Sequence, residues 1–228
     1  MEAYFSTIIF FLIFASFYSL TALGLNLQWG FTGLFNVGIV GFYAIGAYTS
    51  AILTGPPYPD TLIGGLGLWF PIGFIGAMVT SGLAALVVGF ITLRLREDFL
   101  AISTFGIGLS IQLVALNFES LTRGPNGMYS LPRPLSGISE SNLVDNVLYL
   151  ILCLAIIGAV YWAFERMVRS PWGRVLRAIR EDETASAALG KNVFAIRLQS
   201  FVVGSAVMGL AGAMQGNFIG FISPQDFL

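Results

Sequence analysis

Histidine is missing from this 228-residue chain, and cysteine occurs once. Without histidine the chain has no access to the commonest general base or to a leading metal ligand, and haem ligation has few options. Redox and metal chemistry are therefore not expected, and no cofactor is assigned to the chain. The lone thiol, Cys153, rules out a disulfide within the chain; it sits in an apolar run, where a buried structural thiol is the expectation. Charge is scarce as well: Asp, Glu, Lys and Arg make up 10% of residues, against roughly 25% in soluble domains. Nothing supports nucleic-acid binding. The N-terminus lacks the basic residues of a secretory leader, and its apolar run, Ile8 to Phe17, continues past Leu20, so a retained span is expected.

What the chain has in quantity is grease. Hydrophobic residues make up 56%, and the mean hydropathy is +0.82. A helix needs about 20 apolar residues to cross about 30 Å of hydrocarbon. Segments of that kind run from Tyr4 to Leu25, Gly33 to Leu53, Trp69 to Leu93, Phe99 to Phe118, Asn146 to Phe164 and Leu198 to Ile222. The fold class expected is all-α, a polytopic transmembrane helical bundle of six crossings forming one domain over residues 1–228.

The charges that exist are unevenly spread. Of the 11 cationic residues, Arg166, Arg169, Arg174, Arg177, Arg180, Lys191 and Arg197 lie between the last two spans. With six crossings, the Arg94 to Asp98 link, holding Arg94 and Arg96, falls on the same side. Basic loops stay inside, so both are expected in the cytoplasm. The N-terminus, the Gly55-Pro56-Pro57-Tyr58-Pro59-Asp60 link and the loop with Arg123 and Arg133 are expected outside.

Two spans carry small residues at every fourth position: Gly73, Ala77, Ser81, Ala85 and Gly89, and then Gly212, Gly216 and Gly220, with Ser205, Gly209 and Ala213 beside them. Such stripes let helices approach until their backbones touch. Tight packing within the bundle is the expectation, and a sliding surface that lets helices shift is the functional alternative. The segment Leu25-Asn26-Leu27-Gln28-Trp29-Gly30-Phe31-Thr32-Gly33 is too polar for lipid and too glycine-rich for a plain helix. It reads as a short loop or as an interrupted helix at membrane depth, lining a watery cavity or buried in protein. Asn26, Gln28 and Asn36 are the pathway-lining candidates here, with Gln112 and Asn117 in the fourth span. Hydrogen bonds between helices explain the polar residues of that span as well as a pathway does.

The basic stretch 166–197 has a pattern of its own. Ser170-Pro171 reads as a helix start, with Ser capping free N–H groups and Pro in the first turn. Trp172, Val175, Leu176 and Ile179 share one face, and Arg174, Arg177 and Arg180 lie off it. Glu181-Asp182-Glu183 suits the start of a second helix, Thr184 to Leu189, closed by Gly190 in a left-handed turn. A basic amphipathic helix can rest on anionic headgroups. The acidic triplet opposes that, and a mixed-charge face suits a protein partner.

Here the residues acquire a resemblance. Ser170-Pro171-Trp172-Gly173-Arg174, Arg177-Ala178-Ile179-Arg180-Glu181-Asp182-Glu183 and Ala188-Leu189-Gly190 are similar to the coupling loop of ATP-binding-cassette importer permeases for branched-chain amino acids, of the LivM type. Gly24 through Gly33, Gly46-Ala47-Tyr48-Thr49, Leu93-Arg94-Leu95-Arg96, Phe99-Leu100-Ala101-Ile102, Leu121 through Gly127 and Phe221-Ile222-Ser223-Pro224 extend the likeness along the chain. The resemblance implies an inner-membrane complex with a second, LivH-like permease subunit, two cytoplasmic ATPase subunits and a periplasmic substrate-binding protein. It implies that Arg174, Arg177, Arg180, Glu181, Asp182, Glu183, Ala185 and Gly190 couple the chain to an ATPase. ATP and magnesium would be held by those subunits, since this chain has no G-x-x-x-x-G-K-[ST] loop. It departs from many relatives at Ile39, Leu109 and Gln112, and Thr184 stands where the wider importer pattern has Glu. In relatives more membrane segments follow the Phe221–Pro224 motif, so a C-terminally truncated or shortened member is expected. The substrate implied is Leu, Ile or Val, the alternative being urea or a short amide. A secondary carrier or channel would need ionisable groups at bilayer depth, and an enzyme would need acids or nucleophiles clustered in the spans.

Overall fold

The computed structural model describes residues 2–58, 65–95, 97–136 and 142–227. Arg96, Pro59, Asp60 and Leu228, which figure in the sequence-based expectations, lie outside the described residues. In chain order the helices are α1 (Glu2–Leu25), α2 (Ile39–Thr54), α3 (Phe70–Thr92), α4 (Glu97–Asn117), α5 (Glu119–Thr122), α6 (Asn142–Arg169), α7 (Pro171–Glu181), α8 (Glu183–Ala188) and α9 (Val193–Ile219). Among the described residues five helical segments are long and apolar enough to cross a membrane: Tyr4–Gly30, Phe70–Thr92, Phe99–Asn117, Leu143–Arg169 and Val193–Ile219. This is a multi-pass helical membrane protein. The second crossing differs from expectation: residues 33–38 are not helical, and α2 has only 16 residues.

Helix α9 is the axis around which α1, α2, α3 and α6 pack, with α4 laid against α2. Its small residues meet those of α2 and α3 so closely that side chains are excluded. A Cβ at Gly46 would run into the Gly209 carbonyl, one at Gly209 into Ser81 Oγ, and one at Gly212 into the Tyr43 carbonyl. All five residues of the α3 stripe are buried, and Ser81 Oγ donates to the Phe42 carbonyl at 2.9 Å. Both stripes are therefore packed into this seam, except that Gly220 instead ends α9 with φ 75°. On its other flank α9 meets α1 and α6 through Phe17, Leu20, Tyr149, Cys153 and Met214, all fully buried. Bulky side chains on α1, α4 and α6, such as Phe11, Ile102 and Leu154, point outward, as lipid allows, because its tails are as apolar as they are.

The two ends of the bundle differ. Arg94 lies 5.1 Å from the Phe90 ring and 5.5 Å from that of Phe194 in the first turn of α9, so it shares an end with α7 and α8. At the opposite end Arg123 sits between Tyr58 and Tyr129, 4.9 and 4.7 Å from their rings. Arg133 lies 4.4 Å from the Phe218 ring and donates to Asn146. Burial pushes the Arg133 guanidinium below its ordinary pKa, with nearby acidic groups opposing the shift. Two short strands, β1 (Met128–Tyr129) and β2 (Phe221–Ile222), pair antiparallel across this end, Met128 opposite Ile222.

Candidate functional site

The site is built from the basic loop upward into the membrane. Helix α7 starts at Pro171 as the sequence suggests, but Ser170 does not cap it: its hydroxyl donates back to the Met167 carbonyl at 2.6 Å. Leu176 and Ile179 are 0% and 1% exposed, with Trp172 and Val175 half-buried on the same face. Burying each of the two aliphatic side chains contributes about 1.5–3 kcal/mol. Leu176 packs with Leu27 and Val168, flanked by Phe31, Phe164, Ile196 and Val203, so the apolar face of α7 is closed against the bundle. Gly173 permits this approach, because a Cβ there would strike the Val168 carbonyl. Trp172 Nε1 also donates to Gln199 Oε1 at 2.9 Å.

The chain kinks at Asp182, which is extended (φ −153°, ψ 106°) and caps α8. Its Oδ1 accepts from Thr184 Oγ1 at 2.6 Å and from the Ala185 N–H at 2.9 Å. These bonds, that of Thr184 first, hold the Asp182 carboxyl below its usual range. Helix α8 begins one residue before the expected Thr184. Glu183 pairs with Arg197 of α9 at 2.7 Å, and Gly190 turns the chain back with φ 77°. All eight loop residues singled out by resemblance, Arg174, Arg177, Arg180, Glu181, Asp182, Glu183, Ala185 and Gly190, are exposed. Leu189 beside them is 80% exposed.

Above α7 lies a polar junction inside the bundle. Helix α1 does not stop at Leu25; it widens into one π-helical turn, Asn26–Gly30, closed by the Phe31 N–H donating to the Asn26 carbonyl. The choice between loop and interrupted helix thus resolves as a continued, widened helix followed by irregular backbone. A wide turn frees carbonyls, and Leu27 uses its own to accept from Thr32 Oγ1 at 3.1 Å and from Ser200 Oγ at 3.0 Å. Gln28, fully buried, lies across α9: Nε2 donates to the Phe201 carbonyl at 2.9 Å and to Ser205 Oγ at 3.0 Å. Gly204 makes room, since a Cβ there would sit 2.8 Å from Gln28 Nε2. Asn36 Nδ2 donates to Gln28 Oε1 at 2.9 Å, and Asn36 Oδ1 accepts from the Gly38 N–H at 2.9 Å, ahead of α2. The Val37 N–H donates to Thr104 Oγ1 of α4 at 3.1 Å. The irregular stretch thus finds side-chain partners for its Val37 and Gly38 N–H groups, the kind of pairing that non-helical backbone at membrane depth requires.

The five pathway candidates are not gathered in one place. Gln28 and Asn36 meet in the junction. Asn26 is exposed and lies over Gly30, where a Cβ would strike its Oδ1. Gln112 Nε2 donates to the Pro224 carbonyl at 3.1 Å near the opposite end, and exposed Asn117 Nδ2 donates to Leu113 of its own helix at 2.8 Å. Sequence reading did not single out Ser200 and Gln199. Their signal was faint: Ser200, Gly204 and Ser205 share one face of α9 by their spacing. Among the described residues no three acidic, Cys or His side chains gather to hold a metal.

The family described as "Branched-chain amino acid transport system / permease component" matches residues 7–228. The high-affinity branched-chain amino acid transport system permease protein LivM of Escherichia coli is 36% identical over 92% of this chain and 52% of its own length. The probable branched-chain amino acid transport permease protein LivM of Methanocaldococcus jannaschii is 28% identical over 89% of this chain and 65% of its own. LivH of the E. coli system is 28% identical over 92% and 69%. The chain spans about half the length of the E. coli LivM it matches. No solved structure matches it.

Proposed function

The chain belongs to the branched-chain amino acid transport system permease family, and from this we propose that it is a membrane-spanning subunit of an ATP-driven importer of Leu, Ile or Val. It works beside a second, LivH-like permease, two ATPase subunits and a substrate-binding protein, in the bacterial inner membrane. The loop end faces the cytoplasm, and the Arg123–Arg133 end faces the periplasm. ATP is bound and hydrolysed on the ATPase subunits, and their closure, delivered through α7 and α8, alternates access to the pathway.

The observation that carries this reading is the orientation of α7. A helix resting on headgroups must turn its apolar face to the lipid. Leu176 and Ile179 are instead spent inside the bundle, leaving Arg174, Arg177, Glu181, Asp182 and Leu189 as a mixed-charge surface free for a protein. The test is copurification: Arg174→Glu with Arg177→Glu, or Gly190→Trp, is expected to release the ATPase subunits from a complex that still folds, and undiminished copurification in all variants would defeat the docking role. Cysteines placed at Arg94 and Asn126 should label from opposite sides of the membrane. Uptake of leucine into vesicles containing the purified chain without any ATPase would overturn the reading as a whole.

A further inference from the structure

The docking surface would be idle unless displacement of α7 reached the membrane helices, and the polar junction lies where that must happen. Arg180 is exposed at the end of α7, yet its guanidinium donates to the carbonyl of Gly30, the last residue of the π-turn. Its aliphatic stem runs past Gly33, where a Cβ would lie 3.5 Å from Arg180 Cγ. A cation on a helix-terminal carbonyl is a favourable charge-assisted contact. From Gly30 the turn leads back to Gln28, which holds α9 by two hydrogen bonds and α2 through Asn36.

We infer that Arg180, the π-turn Asn26–Gly30 and Gln28 form the link through which motion of the loop is transmitted to α9 and α2. This rests on the transport reading above. A π-turn holds one residue more than an α-turn needs, and such turns recur at functional sites. Here the spare hydrogen-bonding capacity is taken by hydroxyls, Thr32 and Ser200 on the Leu27 carbonyl. Sliding the ladder by one residue turns everything beyond it by about 100°. That rotation draws Asn36 off Gln28 and releases the start of α2 from α9. Apart from Arg180, every partner in the junction is a neutral amide, hydroxyl or carbonyl, so exchange of partners among them separates no charge. Arg180 is a positioning residue: it touches no substrate and acts by holding Gly30.

The experiment uses the full complex in proteoliposomes and measures ATPase-subunit copurification, ATP hydrolysis and leucine uptake together. Arg180→Ala is expected to keep the ATPase subunits bound and still hydrolysing ATP while uptake per ATP falls about tenfold, the scale of energetic coupling between sites. Arg180→Lys should restore most of it. Gln28→Leu should give a similar loss, and the double variant no more than either single one, because both act in one chain of contacts. Amide exchange over residues 26–34 should quicken in Arg180→Ala, a readout that stands even if Gln28→Leu folds poorly. Unchanged uptake per ATP with unchanged exchange in Arg180→Ala overturns the inference while leaving the docking role intact. Loss of copurification in Arg180→Ala also overturns it, since Arg180 would then belong to the docking surface. A wild-type chain that retains no ATPase subunit would overturn the functional reading, and this inference with it.

Discussion

The seam of α2, α3 and α9 and the junction of the π-turn with α9 bring helices together by opposite means. In the seam, glycines remove side chains until backbone meets backbone, as at Gly46 with Gly209 and Gly212 with Tyr43. Such contacts fit in one position only; any slide drives a carbonyl into a Cα. In the junction, Gln28, Asn36, Thr32, Ser200 and Ser205 meet through hydrogen bonds, several of them to backbone carbonyls. Bonds of this kind between helices average only about 0.6 kcal/mol each in membranes, and a displaced donor finds another acceptor nearby. One region is a fixed hub, and the other is suited to rearrange.

Substitution tests the contrast directly. Gly46→Val or Gly209→Leu should have the largest effect, loss of the folded chain, seen as collapse of detergent-extracted yield and of thermal melting; a folded Gly209→Leu protein with normal uptake would mean the seam is loose after all. Asn36→Leu leaves Gln28 Oε1 and the Gly38 N–H without their partner and should destabilise the chain by about 1–3 kcal/mol, measured by reversible unfolding in mixed micelles. At the far end, Arg133→Gln removes a cation from the Phe218 ring and should cost about 1 kcal/mol. It should leave ATP-driven uptake close to wild type, unlike a change at Arg180.

The smallest effect concerns pH. Asp182 has its native pKa depressed below the ordinary Asp value of 3.8, so its cap on α8 is at full strength above that value and is lost as pH falls through the lower native one. Exchange of the Ala185 amide, taken relative to its intrinsic rate, should therefore accelerate as pH falls below the ordinary Asp range. The Asp182→Asn variant, which still caps but does not titrate, should show no such acceleration.

What the sequence made legible was local. Helix α7 announced itself through Pro171 and the spacing of Leu176 and Ile179, and the turn after α8 through Gly190. The small-residue stripes identified faces that touch, though neither named its partner. The polar string from Leu25 to Gly33 was ambiguous because its conformation is decided by Phe201 and Ser205, distant in sequence by 173 and 177 residues. The cap at Ser170 failed because a competing acceptor, the Met167 carbonyl, lies within reach of the same hydroxyl. Nothing local joins Met128 to Ile222; the pairing exists only because α9 returns the chain to that end.

Helix α2 carries one further consequence. Its 16 residues span only ~24 Å at about 1.5 Å per residue, short of the bilayer's hydrocarbon. Of its residues only Val40 is exposed, so protein, rather than acyl chains, sets its environment from end to end. Thickening the bilayer with longer lipids should therefore strain the peripheral α1, α4 and α6 first and reduce their tilt. This inner helix, screened by its neighbours, should feel the change last, keeping the centre of the permease indifferent to the membrane in which it is inserted.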